Sequence, residues 1–277
     1  MHLLKTLLAI SLIILLSACS TEIKLAKSFQ NQPNSISVLC DFPDFIYLTN
    51  AMVEVPEDLN DEEQAAFLDS LYRNSDFIRF IDDTIFFRKF KENIRKEFQG
   101  IGVNYYDAEQ IDQFLSSEAV QYLVNFKQLE IEERWELFRV EEAFGTMSYE
   151  QKIWLEAVSV NAWIDVAKVN DTVEIQRPLY KEIVLTDQVD GMFFQNQWNG
   201  EVHFQYRLDT LEIRDIGNLK DIAAEEFSYY IFNYIVNKEI RDQLNYVEQI
   251  NPVYHWFLQP GSKRILPENK DSFILTH

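Results

Sequence analysis

Apolar and polar residues alternate along several segments of the chain, which is the period expected of a β-strand with one buried face. The alternation is regular over 36–40 and 120–126, and it is most regular over 158–166. After residue 126 it shifts by one position, which predicts a β-bulge near Lys127-Gln128. We therefore predict that these three segments are strands.

Other segments carry a weaker strand pattern. Apolar residues flank Asn199-Gly200 over 192–194 and 202–208, and this dipeptide suits the tight turn of a hairpin. Residues 103–106 are predicted to form a short strand. Residues 148–156 fit either a helical turn or a strand.

A period of three to four residues predicts the helices. Asn60 followed by Glu63 is the pattern of a capping box at the start of one helix. Apolar residues recur every fourth position from Phe86 to Phe98, and those between 219 and 235 mark a long amphipathic helix. The order of elements predicts an α/β fold in which helices cover a mixed sheet, with the long C-terminal helix packed on it.

The chain is expected to divide into four regions. Residues 1–18 are predicted to be a lipoprotein signal peptide, and 19–34, which lack periodicity, a tether. A single α/β domain is predicted over 35–250. Residues 251–277 are predicted to form a C-terminal tail, first aromatic and then polar.

The first nineteen residues have the three-part order of an export signal. Lys5 gives a basic start, Leu7–Leu16 is almost wholly apolar, and Leu16-Ser17-Ala18-Cys19 closes the segment. The apolar run is too short to span a bilayer, which takes about 20 residues of helix. The closing tetrapeptide resembles the lipobox of bacterial lipoproteins; the alternative is an ordinary signal peptide in which Cys19 is incidental.

The lipobox resemblance implies cleavage before Cys19 and acylation of that residue. Two or three acyl chains hold a protein almost permanently at a membrane. In such lipoproteins an aspartate after the cysteine favours the inner membrane, so Ser20 implies an outer-membrane anchor. A cluster of acidic residues would imply the cell surface, whereas Glu22 stands alone here, which implies the periplasmic face.

The segments 33–39, 102–106 and 119–126 resemble parts of small α/β lipoproteins from Gram-negative envelope-assembly systems, such as those of the Bacteroidota. The resemblance rests on the apolar pattern and covers about the first two thirds of the chain after the signal segment. It implies an envelope protein as partner. It implies no catalytic residue.

The balance of charge excludes one class of partner. The chain has 25 basic and 45 acidic residues, a formal charge of −20, and loss of Lys5 with the signal segment makes it more acidic. Nucleic-acid binding depends on Lys and Arg that neutralise phosphates. We therefore expect no nucleic-acid partner, and we expect the lipid rather than surface charge to hold the protein at a membrane.

No catalytic or metal-binding pattern stands out. The chain has no Gly-x-Ser-x-Gly elbow, and Cys40, in a predicted strand, is expected to be a small buried residue. His203, His255 and His277 lack the spacing of metal ligands. Glutamates that could act as acid and base are abundant, and in a chain this acidic most are expected to face water: Glu130, Glu132, Glu133, Glu141 and Glu142. We predict neither an enzyme nor a cofactor.

Three residues on one side of a predicted strand could bind a ligand. Asn161, Trp163 and Asp165 share a face, and an aromatic ring beside an amide and a carboxylate can hold a sugar or a peptide. The alternative is an ordinary face covered by the C-terminal helix, as the base rate of buried Trp suggests. Trp198 and Trp256 are further candidates for stacking.

Four tripeptides resemble the Asp-Ser/Thr-apolar sequon of O-glycosylation in the Bacteroidota. Their hydroxyl residues are Ser70, Thr84, Thr172 and Thr210. Asp-Ser/Thr pairs are also common helix caps and turns, which would explain Ser70 and Thr84 without a sugar.

The sequence therefore predicts a non-enzymatic outer-membrane lipoprotein that acts as an envelope-assembly or partner-binding component. A glycan- or peptide-binding lipoprotein is the alternative. A hydrolase that uses two carboxylates is the third.

Overall fold

The computed structural model describes residues 21–169, 178–244, 255–268 and 273–276. It confirms the predicted α/β class, a mixed sheet with helices on it and a long helix near the C-terminus. The helices are α1 (21–31), α2 (Asp61–Arg73), α3 (Asp83–Ile101), α4 (Ile111–Leu115) and α5 (Ile213–Gln243). Short 3₁₀ turns lie at Pro33–Ser35, Ile78–Phe80 and Ala108–Gln110.

The described strands are β1 (Ile36–Asp41), β2 (Tyr47–Asn50), β3 (Asn104–Asp107), β4 (Val120–Phe144), β5 (Met147–Lys168), β6 (Leu179–Thr186), β7 (Gln188–Gln195), β8 (Val202–Asp209), β9 (His255–Leu258), β10 (Ile265–Glu268) and β11 (Ile274–Leu275). Seven of them form the main sheet, in the order β11-β6-β5-β4-β1-β3, with β2 paired to β4. β1 runs parallel to β3 and β4, and β2 runs parallel to β4, whereas the pairs β4–β5, β5–β6 and β6–β11 are antiparallel. Two further hairpins pair β7 with β8 and β9 with β10.

The helices α3 and α5 pack against one face of this sheet and enclose the main core. The four-residue spacing in α3 turns Phe86, Phe90, Ile94 and Phe98 inward. They meet the inward side chains of the sheet, among them Val124, Val160 and Ile164. The Asp82 carboxylate caps the start of α3, and Gly102 ends it with a left-handed φ of 98°. A side chain at Gly102 would also meet Pro33, so glycine is needed for two reasons.

A buried carboxylate ties the Ile78–Phe80 turn to the sheet. Glu133 lies on the core side of β4 and is fully buried. Its two oxygens accept hydrogen bonds from the backbone N–H groups of Asp76, Phe77 and Ile78, at 2.8, 2.9 and 2.9 Å. Three N–H donors that converge on one carboxylate stabilise its charge without a basic side chain.

The hairpin of β4 and β5 extends far beyond the helices. β4 has 25 residues, and at about 3.3 Å per residue it is about 80 Å long. We call the outer part, Trp135–Phe144 with Met147–Glu156, the arm. The β7–β8 hairpin touches the end of the arm, where the rings of Phe144 and Phe193 make an edge-to-face contact with their centroids 6.4 Å apart.

The predicted tether is wrong over its described residues. Residues 21–31 are helical, and Ala26 and Phe29 are buried in the main core. The Gln30 side chain accepts a hydrogen bond from the backbone N–H of Ile265 at 3.1 Å. This part of the chain therefore belongs to the folded body, and residues 19 and 20 lie outside the described residues.

The predicted C-terminal tail, over its described residues 255–268, is likewise part of the folded body, because two asparagines of α5 bind it. Asn233 and Asn237 are one helical turn apart, and each pairs its amide with the backbone of β9, at Leu258 and Trp256 respectively. Each side-chain amide thus donates one hydrogen bond to the β9 backbone and accepts one from it, as a neighbouring strand would. Trp256, Leu258 and Ile265 are consequently part of the main core.

Cys40 is buried at the end of β1, as the alternation predicted. Burial raises the pKa of its thiol well above the ordinary value, and the nearby charges of Asp107 and Asp41 raise it further. Among the described helices, none is both long and apolar enough to cross a membrane.

Candidate binding surfaces

Polar side chains cover the side of the central sheet that faces away from α3 and α5. They alternate along β4, β5 and β6 with the residues that enter the core. We call this surface the polar face; its members are Glu130, Glu132, Arg134, Ser159, Asn161, Trp163, Asp165, Tyr180 and Glu182.

Arg134 lies at the centre of the polar face and joins its three strands. Its guanidinium donates hydrogen bonds to Glu132 at 2.9 Å, to Glu136 at 2.6 Å, to the Ser159 hydroxyl at 3.1 Å and to Glu182. Burial disfavours the charged form, but the hydrogen bonds to three carboxylates outweigh it and raise the pKa of Arg134. The group therefore carries an excess of negative charge around one fixed cation.

The predicted candidates Asn161, Trp163 and Asp165 lie directly beside Arg134 and its carboxylate partners. Asn161 is almost fully buried; its amide lies 3.5 Å from Glu132, and its oxygen accepts a hydrogen bond from the Tyr180 hydroxyl at 3.2 Å. The rings of Trp163 and Tyr180 have centroids 5.1 Å apart. Asp165 pairs with Lys127 at 3.0 Å.

The alternative for Asn161, Trp163 and Asp165 was an ordinary strand face covered by the C-terminal helix. It is wrong, because α5 does not cover these residues. The helix side of β5 is formed by Val160, Ala162 and Ile164, which are buried in the main core. The row alternates with these residues and points to the other side of the sheet. The structure thus brings Asn161 and Trp163 together with Glu132 and Tyr180 into one hydrogen-bonding and aromatic surface.

A second surface lies on the arm and combines residues that the alternation did not single out. Trp135, Leu137 and Trp154 lie on the helix side of the sheet but beyond the helices, and they are 43, 43 and 63 % exposed. Leu137 and Trp154 are register partners across the hairpin, and Trp135 is the next residue on the same side. We call these three residues the arm face.

Charged side chains surround the arm face. Glu150 pairs with Arg139 at 2.5 Å and with Lys152 at 3.2 Å, one step farther along the arm. Glu156 is the register partner of Trp135. Partial burial raises the pKa of Glu156, and the charges of Asp187, Asp76 and Glu133 raise it further. An apolar centre with a charged margin is the usual composition of a protein interface.

The glutamates suggested for a hydrolase do not converge. Glu130 and Glu132 lie on the polar face, where Glu130 accepts a hydrogen bond from Thr49 at 2.6 Å. Glu133 points into the core on the opposite side, and Glu141 and Glu142 lie far out on the arm. The arrangement therefore offers no common pocket for these five carboxylates.

The other predicted residues are scattered. Trp198 is 98 % exposed in the turn of the β7–β8 hairpin, whereas Trp256 is buried in the core and cannot stack on a ligand. His203 is exposed on β8, and His255 is on β9. Within the described ranges, no three His, Cys, Asp or Glu side chains are grouped as metal ligands.

Three of the four predicted sugar acceptors are exposed, and Thr172 lies outside the described residues. Thr84 is in the first turn of α3, beside the capping Asp82. Ser70 lies inside α2 and not at its cap, so the capping explanation for it is wrong. Thr210 precedes α5 and lines a cavity of about 440 Å³.

Cys19 and the lipobox lie outside the described residues, so their role stays a prediction. No family model matches the chain, and no curated protein matches it significantly.

Proposed function

We propose that this protein is a non-enzymatic lipoprotein of the outer membrane that binds an envelope protein through its arm face. The lipobox pattern supports the anchor through Cys19, and Ser20 supports the outer membrane. Glu22 stands alone and not in an acidic cluster, which supports a periplasm-facing position. The resemblance to envelope-assembly lipoproteins supports the same class of partner. The observation that carries the proposal is the arm face itself.

Three large apolar side chains side by side on an exposed strand surface are unfavourable in water unless another surface covers them. Trp is also the residue type most often responsible for the affinity of protein interfaces. The paired strands β4 and β5 carry these residues outward from the body, so a partner can approach them without contact with the helices.

The acidic composition favours a partner with basic residues around an apolar pocket. The chain has a formal charge of −20, and such a field attracts a basic surface and repels a second copy of the same chain. A different protein is therefore a more favourable partner than a second copy of this chain.

Substitution of Trp135 and Trp154 by Ala is expected to weaken partner capture at least tenfold, because it removes two of the three apolar anchors. The measurement is cross-linking in cells of the native host, followed by affinity isolation and quantification of each captured protein. Phe45→Ala is the matched control, since Phe45 is a similarly exposed aromatic residue away from the arm. Equal capture by the double variant and the wild type would contradict the proposal.

A second candidate function is binding of a glycan or peptide on the polar face. It is favoured by the fixed arrangement of Asn161, Trp163 and Tyr180 beside Glu132, which offers a ring surface together with donors and acceptors. We expect envelope glycans or peptides to change the tryptophan fluorescence, and Trp163→Phe to remove most of that change. Trp256→Phe, a substitution in the core, is the control; no response to any of these ligands would contradict this candidate.

A further inference from the structure

The two hairpin turns at the outer end of the arm contain no charged residue. Residues 143–149 and 191–200 carry neither Asp, Glu, Lys nor Arg, although such residues make up 25 % of the chain. They instead carry large apolar and aromatic side chains. We call these two segments the uncharged tip; its large members are Phe144, Met147, Tyr149, Met192, Phe193, Phe194 and Trp198.

The two turns of the uncharged tip lie together. Phe144 in one contacts Phe193 in the other, and Phe193 packs on Phe204 with ring centroids 4.9 Å apart. These inner aromatic contacts hold the two hairpins side by side. Met147 and Met192, by contrast, are more than half exposed.

The turn that carries Trp198 is well defined by its own hydrogen bonds. The Asn196 side chain accepts a hydrogen bond from the backbone N–H of Trp198 at 2.9 Å, and the Asn196 carbonyl accepts one from Gly200 at 2.8 Å. Gly200 has a φ of 74°, which glycine adopts at little cost. The turn therefore presents the indole ring outward, with 98 % of the residue exposed.

We propose that the uncharged tip inserts into the interfacial region of a zwitterionic lipid bilayer. Insertion would require no charged side chain of the two turns to leave water, and charged side chains are the costliest to transfer. Trp is favoured at the membrane interface, where its ring is buried and its N–H stays hydrogen-bonded. The amides of Gln195, Asn196 and Gln197 suit the polar headgroups.

The shape and the surrounding charge favour this occupant over a protein. A convex tip buries little area on a flat protein surface, whereas a bilayer can surround it. Glu141 and Glu142 precede the first turn, and Glu201 follows the second. These carboxylates would be repelled by anionic lipid, so a zwitterionic surface is the better match. This contact is separate from the arm face and does not depend on acylation of Cys19.

The test places an environment-sensitive fluorophore on the tip. Gln197→Cys is labelled in the full chain with Cys19→Ser, because Cys40 is buried and reacts slowly. With phosphatidylcholine vesicles we expect a blue shift and at least a fivefold rise in emission, reversed by Phe194→Ala with Trp198→Ala. The same label at Glu62→Cys, on exposed α2, is expected to stay in water.

Sedimentation with vesicles is not sufficient support, because residues 7–16 alone could bring the chain to the lipid. The proposal is overturned if the tip label keeps its aqueous emission on vesicles that carry the protein. It is also overturned if the Phe194 and Trp198 substitutions leave the shift unchanged. Trp154→Ala is expected to leave the shift intact while it weakens partner capture, so failure of this proposal and failure of the proposed function can be told apart.

Discussion

Glu133→Gln is expected to lower the free energy of unfolding by about 3 kcal/mol, because hydrogen bonds to a buried charged group contribute about 1.5–3 kcal/mol each and are only partly additive. Glu133 receives three backbone N–H groups at one buried position. A glutamine has one oxygen there, and its amide nitrogen would face N–H donors. The measurement is urea unfolding of the full chain, followed by circular dichroism.

The control for this prediction is Glu142→Gln, which removes the same charge from an exposed position on the same strand. Such a surface substitution is expected to change the free energy of unfolding by no more than about 0.5 kcal/mol. If Glu133→Gln were as mild as the control, the buried carboxylate would not be what holds Asp76–Ile78 on the sheet. The turn lies near the base of the arm, so this contact also supports the arm face.

Strands with one core-facing side could be predicted from the sequence, because their alternation records which side is buried. Segments 36–40, 120–126 and 158–166 lie in β1, β4 and β5, respectively. The predicted bulge is confirmed, since the register between β4 and β5 shifts between Phe126 and Gln128. The start of α2 could also be predicted from neighbouring residues, because Asn60 and Glu63 form its capping box.

The arm was missed because its alternation is not between apolar and polar residues. Trp135 and Leu137 occupy one side, while Phe138 and Val140 occupy the other. Residues 148–156 remained ambiguous for the same reason. What makes them a strand is the pairing of β5 with β4, a contact between distant residues that periodicity does not record.

Both ends of the folded body depend on similarly distant contacts. In α1 the apolar residues Leu25, Ala26 and Phe29 cover less than two helical turns, and their burial depends on contacts with distant parts of the body. The C-terminal strands are bound by the amides of Asn233 and Asn237. An asparagine that pairs with a strand backbone has no signature of its own in a sequence.

The polar face was predicted in part. The alternation placed Asn161, Trp163 and Asp165 on one side of β5, which the structure confirms. Their neighbours were not foreseen, because Glu132 and Arg134 come from the register of β4 and Glu182 from that of β6.

Cys19→Ala is expected to abolish lipidation completely, because the cysteine sulfur is the only atom in the lipobox that can form the thioether with diacylglycerol. The peptidase that acts on lipidated precursors would then leave residues 1–18 in place. Intact-mass spectrometry should show the full polypeptide of 32.8 kDa for the variant. The wild type should show the shorter chain with its acyl groups, and any sugar on Ser70, Thr84, Thr172 or Thr210 as additional mass.

Fractionation would be a poor readout for Cys19→Ala, because the retained Leu7–Leu16 segment would itself favour a membrane. Incorporation of labelled palmitate measures acylation alone, and the apolar segment does not affect it. Cys40→Ala is the matched control, since it removes the other cysteine and should keep the label in full. Palmitate on the Cys19→Ala variant would mean that the lipobox interpretation is wrong, and the outer-membrane anchor would lose its basis while the arm face and the uncharged tip would keep theirs.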